Sequence, residues 1–396
     1  MGTVTIVEKK SVGSLVLSAL LLCCFPLWLA NAQTEATSKA PQAPAVRWRQ
    51  AVRIADFILS LQNASGAIPD RSGVLTVNED SNMEYALIAL GAAYGATKDA
   101  RYKDGLERGI QWLAAREEMT DPLWKGSWRY VYSATAPYAA IPTSPGKGIT
   151  DVRGVDATST LFVYLLYLDQ KLTGNEALAR TYETNAQAAL DFVVQHNIDE
   201  DGFSWSSWQQ HASDGKWHLW AFKYSADQGD VYLGMQAGAE LYHSSEYARI
   251  AHFLREKTPQ RFFLQAKGRY GLGLNEKGAL DPTPYVFAQG YLPWIWGDTP
   301  ENRRALGWLR SKVRRDGSFA EPDGKPAASL SVAMLGMAAT ALRQPEPAKS
   351  FRWLMTIPYD PATGGVRDTR ISTSHEYNNV AGFCSISLSG FVPFGE

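Results

Sequence analysis

Along this chain the apolar and polar positions fall into two kinds of helical stretch that alternate. One kind is amphipathic, with apolar residues at the 3–4 spacing of a single helix face. The other is apolar nearly all round and rich in Ala and Gly. An amphipathic stretch ends in a turn with Gly and an aromatic or aliphatic residue. A loop follows, and then an apolar stretch.

The pattern predicts six helical pairs: 46–61 with 83–96, 102–116 with 158–172, 177–196 with 231–242, 247–266 with 285–295, 303–313 with 330–342, and 348–357 with 378–389. The turns that end the first members are built alike, as in Gln62-Asn63-Ala64-Ser65-Gly66, Gly126-Ser127-Trp128-Arg129-Tyr130, Asp201-Gly202-Phe203-Ser204-Trp205 and Arg315-Asp316-Gly317-Ser318-Phe319. The returns, such as Thr97-Lys98-Asp99 and Asp298-Thr299-Pro300, are short and polar, as between antiparallel neighbours. Self-similarity at this period, roughly 45 to 75 residues, marks a repeat architecture. Helices apolar on all faces must be surrounded. Six amphipathic helices around six buried ones give an all-α (α/α)6 toroid, one domain over residues 46–396. Gly91, Gly234, Gly238 and Gly336 fall inside the buried helices, where each costs about 1 kcal/mol of propensity that close helix approach must offset. Runs of period two are short and confined to loops.

Composition adds three points. Among 396 residues, 45% hydrophobic and 12% aromatic, there is enough apolar matter for one large core. Lys+Arg number 39 against 40 Asp+Glu, so there is no basic footprint for nucleic acid or anionic lipid. Residues 1–32 read as a secretory signal peptide: Lys9 and Lys10, an apolar run from Leu15 to Trp28 that is short for a membrane span, and Ala30-Asn31-Ala32 as the cleavage site. A periplasmic or secreted location is therefore expected, with no stable membrane span after cleavage and a flexible lead-in over 33–45. One cysteine, Cys384, remains after the leader, so no disulfide framework is expected. Nothing in the sequence sets an oligomeric state.

The repeat pattern and stretches such as Thr97-Lys98-Asp99-Ala100-Arg101-Tyr102 and Ser81-Asn82-Met83-Glu84-Tyr85 resemble the six-hairpin glycosidase-like superfamily over essentially the whole mature chain. The Gly109-Ile110-Gln111-Trp112-Leu113 run also looks like terpenoid cyclase repeats, but the Asp-x-Asp-Asp acid motif usual there is absent. The resemblance implies a substrate cleft on the face where long loops enter the inner helices.

Those helix mouths carry the candidate chemistry. Helix N-termini offer free N–H groups and a positive dipole end to carboxylates. Asp227 and Asp230 open the third inner helix, Asp156 the second, and Glu84 the first. Each could instead cap its helix: Ser81 with Glu84 has capping-box spacing, and Asp156 and Asp227 are good N-caps. Two carboxylates three residues apart repel when ionised, and burial raises the pKa of one, which keeps an acid protonated near neutral pH. Glycoside hydrolysis needs such an acid and a second carboxylate. The expected catalytic set is Asp230 or Asp227 with Asp156 or Glu84. The expected carbohydrate-binding set is Trp128, Tyr130, Trp205, Trp208, Trp217, Trp220, Tyr285, Gln289, Glu376 and Asn378, with Trp217-His218-Leu219-Trp220 as the preferred wall. A single ring is more often core than platform. No His-x-x-x-His or Cys cluster is present, and neither metal nor cofactor is expected. Two alternatives stay open: a polysaccharide lyase using residues such as His211, His218, His375, Tyr377, Asn378 and Arg153, and a glycan-binding toroid without turnover.

Overall fold

The computed structural model describes residues 44–78, 80–370 and 374–395. The leader read over 1–32 and the lead-in up to residue 43 lie outside them. The described helices follow the alternation of the sequence. They are α1 (Pro44–Leu61), α2 (Asn82–Thr97), α3 (Ala100–Ala114), α4 (Asp156–Thr173), α5 (Ala177–Thr181), α6 (Glu183–Phe192), α7 (Asp227–Tyr242), α8 (Ser245–Phe262), α9 (Val286–Trp296), α10 (Pro300–Ser311), α11 (Ser329–Ala341), α12 (Ala348–Thr356) and α13 (Asn378–Ser389).

The apolar set, α2, α4, α7, α9, α11 and α13, forms the inner ring. Each packs on the next, and α13 packs on α2. In α2 every residue from Met83 to Ala93 is buried, and in α4 every residue from Asp156 to Asp169. No solvent-facing stripe is left, which is why these helices carry no polar face. The amphipathic helices pack around this ring, chiefly on the inner helix before them, as α3 on α2, α8 on α7 and α10 on α9, and the described residues form one compact unit. Close approach explains the helical glycines: a Cβ on Gly234 of α7 would stand 2.4 Å from the Thr160 carbonyl oxygen of α4.

The third outer helix departs from the expected single stretch 177–196. It breaks at Tyr182 into α5 and α6 and ends in a π-helical turn, Val193–Asn197. The wider turn delivers Asn197, fully buried, whose Nδ2 donates to the carbonyls of Gly154 and Trp205, each at 3.0 Å. One side chain thereby ties together the loops that enter α4 and α7.

The long loops carry small antiparallel sheets: β1 (Thr76–Asn78) with β2 (Val131–Ser133); β3 (Ile149–Arg153), β4 (Trp208–His211) and β5 (Trp217–Leu219) in that order; β6 (Phe222–Tyr224), paired with a strand over Gly273–Asn275; and a two-residue pair at Phe263–Leu264 and Arg269–Tyr270. No described helix is long and apolar enough to cross a membrane.

Candidate functional site

The start of α7 shows how a mouth is built. Strand β6 leads through Ser225, whose hydroxyl donates to the Gly271 carbonyl at 2.8 Å. One residue into the helix, Gln228 is fully buried. Its Oε1 accepts the Ser204 N–H at 2.9 Å, and its Nε2 donates to the Ser204 and Tyr224 carbonyls at 3.1 and 3.0 Å. This clip fixes the preceding loop against the helix start, because buried backbone groups must find partners. Asp227 is then the first helical residue and Asp230 lies one turn on. The N-cap position is Ala226, which has no side chain able to cap, so neither aspartate serves as the cap. Nor does a capping box form at α2: Ser81 has a left-handed backbone and no side-chain cap bond.

Three inner-helix aspartates converge. Asp156 is fully buried at the start of α4, with Oδ1 accepting the Ala157 N–H at 2.8 Å. Burial pushes its carboxyl well above the ordinary range, and the Asp227 charge pushes it further, with the Asp230 charge and the opposing Ser204 hydroxyl contributing less. Asp230 is 2% exposed, and its Oδ1 accepts the hydroxyl of Tyr85 from α2 at 2.8 Å and that of Tyr291 from α9. Burial raises its pKa strongly and the Asp227 charge adds to that, against the pull of the two hydroxyls. Asp227 is only half-buried. Desolvation moves its pKa up to about 7, the Asp80 charge adds to the shift, and the Ser206 hydroxyl opposes it.

Asp80, an exposed residue of the loop before α2, completes the group. Its charge reaches Asp227 and Asp230, and its Oδ2 accepts the Tyr130 hydroxyl at 3.1 Å. Crowding of the mouth desolvates this carboxyl and raises its own pKa, against the pull of that hydroxyl. Tyr224 and Tyr285 stand close enough that the Asp227 charge, after burial, raises both of their pKa values, that of Tyr224 to about 12. Their rings lie 6.1 Å apart, and Trp220 sits edge-on to Tyr224 at 6.4 Å. The result is a half-buried carboxyl with a raised pKa, a second carboxylate on the loop side within electrostatic reach, and neighbouring aromatic rings. Asp156 and Asp230 lie beneath, shut off from solvent.

Of the expected residues, Asp156, Asp227, Asp230, Tyr130, Tyr285 and Trp220 fall in or beside this group. The others go elsewhere. Glu84 is fully buried in the first turn of α2. Trp128 is a core residue: it is 2% exposed, donates Nε1 to the Leu113 carbonyl at 2.9 Å and packs on Phe162. Trp208 and Trp217 pack on Trp124, at 5.7 and 5.2 Å between ring centroids. The guanidiniums of Arg129 and Arg153 lie over the Trp217 ring at 5.5 and 5.8 Å, so the ring expected to form the wall is already covered by cations. Trp205 is covered by the Lys223 ammonium at 4.3 Å. Gln289 is not a ligand-facing group. It is fully buried, accepts the Tyr270 N–H at 2.8 Å and donates to the Tyr270 and Tyr285 carbonyls at 3.0 and 2.7 Å, repeating the Gln228 clip at α9. Asn378 is 1% exposed and donates Nδ2 to the Ile68 carbonyl at 3.3 Å. Glu376 packs its stem on the Gly365 turn and accepts from the Thr363 hydroxyl at 3.4 Å. His211 and His218 meet at 4.5 Å in the β4–β5 hairpin, where His218 pairs with Asp214 at 2.9 Å. Arg153 stands over Trp124 at 4.1 Å, and burial lowers its pKa to about 10.

Sequence reasoning missed Asp80, Tyr85, Tyr224 and Tyr291. Tyr85 and Tyr291 left one signal, a hydroxyl inside helices otherwise apolar all round, which a buried phenol must satisfy. Among the described residues no group of three or more His, Cys, Asp or Glu side chains is arranged to hold a metal ion.

No protein-family model matches this chain, and no curated protein matches it in sequence. Solved structures match its fold. Cellobiose 2-epimerase from Spirochaeta thermophila DSM 6192 aligns with TM-score 0.64 at 12% identity, over 89% of this chain and 98% of that one. D-mannose isomerase aligns with TM-score 0.61 at 12% identity, over 90% and 100%. Unsaturated glucuronyl hydrolase from Bacillus sp. GL1 aligns with TM-score 0.58 at 14% identity, over 86% and 96%. These are carbohydrate-active enzymes, and the chain shares the (α/α)6 fold of the six-hairpin glycosidase-like superfamily with them.

Proposed function

We propose that this chain is an exported glycoside hydrolase that cleaves a poly- or oligosaccharide at the Asp227 mouth. The observation that carries the reading is the half-buried Asp227 with its pKa raised to about 7, within reach of the Asp80 charge from the loop side. A carboxyl protonated near neutral pH can give its proton to a departing glycosidic oxygen. A second carboxylate can then activate water or attack the sugar. Asp227 is assigned the acid and Asp80 the base or nucleophile. Asp230 is a positioning residue: the Tyr85 and Tyr291 hydroxyls hold it beneath the site, where burial and then the Asp227 charge raise its pKa. Asp156 lies on the same buried side, its pKa raised by burial and by the Asp227 charge. Tyr224, Tyr285 and Trp220 supply ring faces for a sugar.

The expected leader at 1–32 supports export, and cleavage after Ala32 is part of the proposal. The matched epimerase and isomerase show that this fold also hosts aldose chemistry, which moves a proton on carbon and releases no new reducing end. The experiment is therefore a panel of oligosaccharides incubated with the purified protein, reading reducing ends, unsaturated product by ultraviolet absorbance, and epimer composition. Reducing ends alone, lost in Asp227→Asn, support the hydrolase. Unsaturated or epimerised product, or full activity in Asp227→Asn, overturns it.

A further inference from the structure

A cavity of about 840 Å³ opens where the loops entering α9 and α11 meet the loop before α13. None of its charged groups was in the expected site, and the fifth mouth is nearly bare in sequence. Its volume is in the range that encloses a ligand of one to a few rings. One wall is aromatic: Tyr285 and Phe287, with centroids 6.0 Å apart. Tyr285 also feels the charges of Asp227, Asp80 and Asp230, so the cavity adjoins the carboxylate group.

The charges on the other wall are unevenly matched. Asp323 takes both cations, Arg370 at 2.5 Å and Lys325 at 3.7 Å. That leaves Glu321 and Asp368, which line the same cavity and are only 6% and 8% exposed. Each has one oxygen held by a backbone N–H at 3.0 Å, Glu321 by Ala328 and Asp368 by Arg370. The Ser331 hydroxyl also faces Glu321, and the Arg370 charge reaches it from a distance. Among the described residues neither carboxylate forms an ion pair within 4.0 Å. Two nearly buried carboxylates without a paired cation favour a positively charged donor. A ligand carboxylate brought beside them would meet like-charge repulsion in a partly desolvated site. An ammonium offers three donors and no acceptor, and it also gains from ring faces within about 6 Å.

We propose that this cavity is a subsite for a sugar residue bearing a free, protonated amine, held by Glu321 and Asp368 against the Tyr285 and Phe287 rings. The assignment rests on the hydrolase reading for its neighbour at Asp227. It places amino sugars first, neutral sugars second and uronates last among substrates.

The test uses the full-length mature protein and four oligosaccharides matched in length and linkage: glucosamine, N-acetylglucosamine, glucose and glucuronate. Turnover is read as kcat/KM and affinity by calorimetry. Expected is at least a ten-fold preference for the free amine over its N-acetylated form, with glucuronate weakest. In Glu321→Gln/Asp368→Asn the ratio of the two amino-sugar substrates falls towards one. Raising the pH until the amine is neutral erases the binding preference in the unsubstituted protein, a readout that does not depend on the variant folding. Equal or better use of the N-acetylated, glucose or glucuronate oligomer overturns the subsite and leaves the hydrolase standing. An intact preference in the double variant also overturns the subsite alone. No binding and no cleavage of any of the four overturns both readings.

Discussion

Gln289 separates structure from recognition most cleanly. From sequence it stands one turn inside the fourth mouth, where it could contact a sugar. In the fold its three hydrogen bonds hold the Tyr270 N–H and C=O and the Tyr285 C=O. Both Gln289 and Tyr270 are fully buried, so water cannot replace the lost partner at Tyr270. Each bond contributes about 1 kcal/mol net, and a buried donor or acceptor left unmade costs roughly 1–3 kcal/mol. Gln289→Ala is thus expected to lose roughly 3–5 kcal/mol. Unfolding entropy near the midpoint is about 2 cal/mol/K per residue, so for roughly 350 folded residues the midpoint falls by about 4–7 °C. Denaturant unfolding followed by circular dichroism gives the free energy, and calorimetry gives the midpoint. Gln228→Ala at the third mouth should behave alike, because Gln228 makes the same clip to Ser204 and Tyr224. If Gln289→Ala unfolds like the unsubstituted protein and only raises KM, the clip is not structural and the sequence expectation was right.

Burial and charge lead to further expectations. The raised pKa of Asp227 means the folded chain binds a proton between about pH 4 and 7 that the unfolded chain has released, so this group weakens the fold as pH rises through that window. Asp227→Asn should therefore be more stable than the unsubstituted protein at pH 8 and gain little at pH 4, as read from denaturation midpoints at the two values. Trp128→Ala should cost about 3–5 kcal/mol by opening the core, whereas Trp220→Ala, half-buried beside Tyr224, should raise KM several-fold with little change in midpoint.

The helices were legible because full burial leaves a plain mark: eleven consecutive buried residues in α2 admit no polar face, and the sequence shows none. The mouths were legible for the same reason, since Asp156, Asp227 and Asp230 stand where an apolar helix begins. The ring faces were not. Whether a Trp meets a sugar, a guanidinium or the core depends on which strand of β3–β5 it occupies and on what the neighbouring loop brings. Trp217 meets Arg129 and Arg153, from loops 64 or more residues earlier in the chain. Glu84 and Asp80 are told apart only in the fold. Both sit at the first mouth, but the helix starts between them, so one faces the core and the other the loop side. The cavity carboxylates Glu321 and Asp368 belong to different hairpins and meet only in the folded ring.

The central claim is that Asp227 donates the proton and Asp80 supplies the second carboxylate. The most direct measurement is the pH profile of reducing-end release from the best oligosaccharide, for the unsubstituted protein, Asp227→Asn and Asp80→Asn. Activity should fall as pH rises through about 7, where Asp227 loses its proton, and each variant should lose at least a hundred-fold in kcat, an effect of the order expected for a positioned acid or base, roughly 10²–10⁴. A variant that keeps the full rate, or an unsubstituted profile that climbs through pH 7 and beyond, would contradict it.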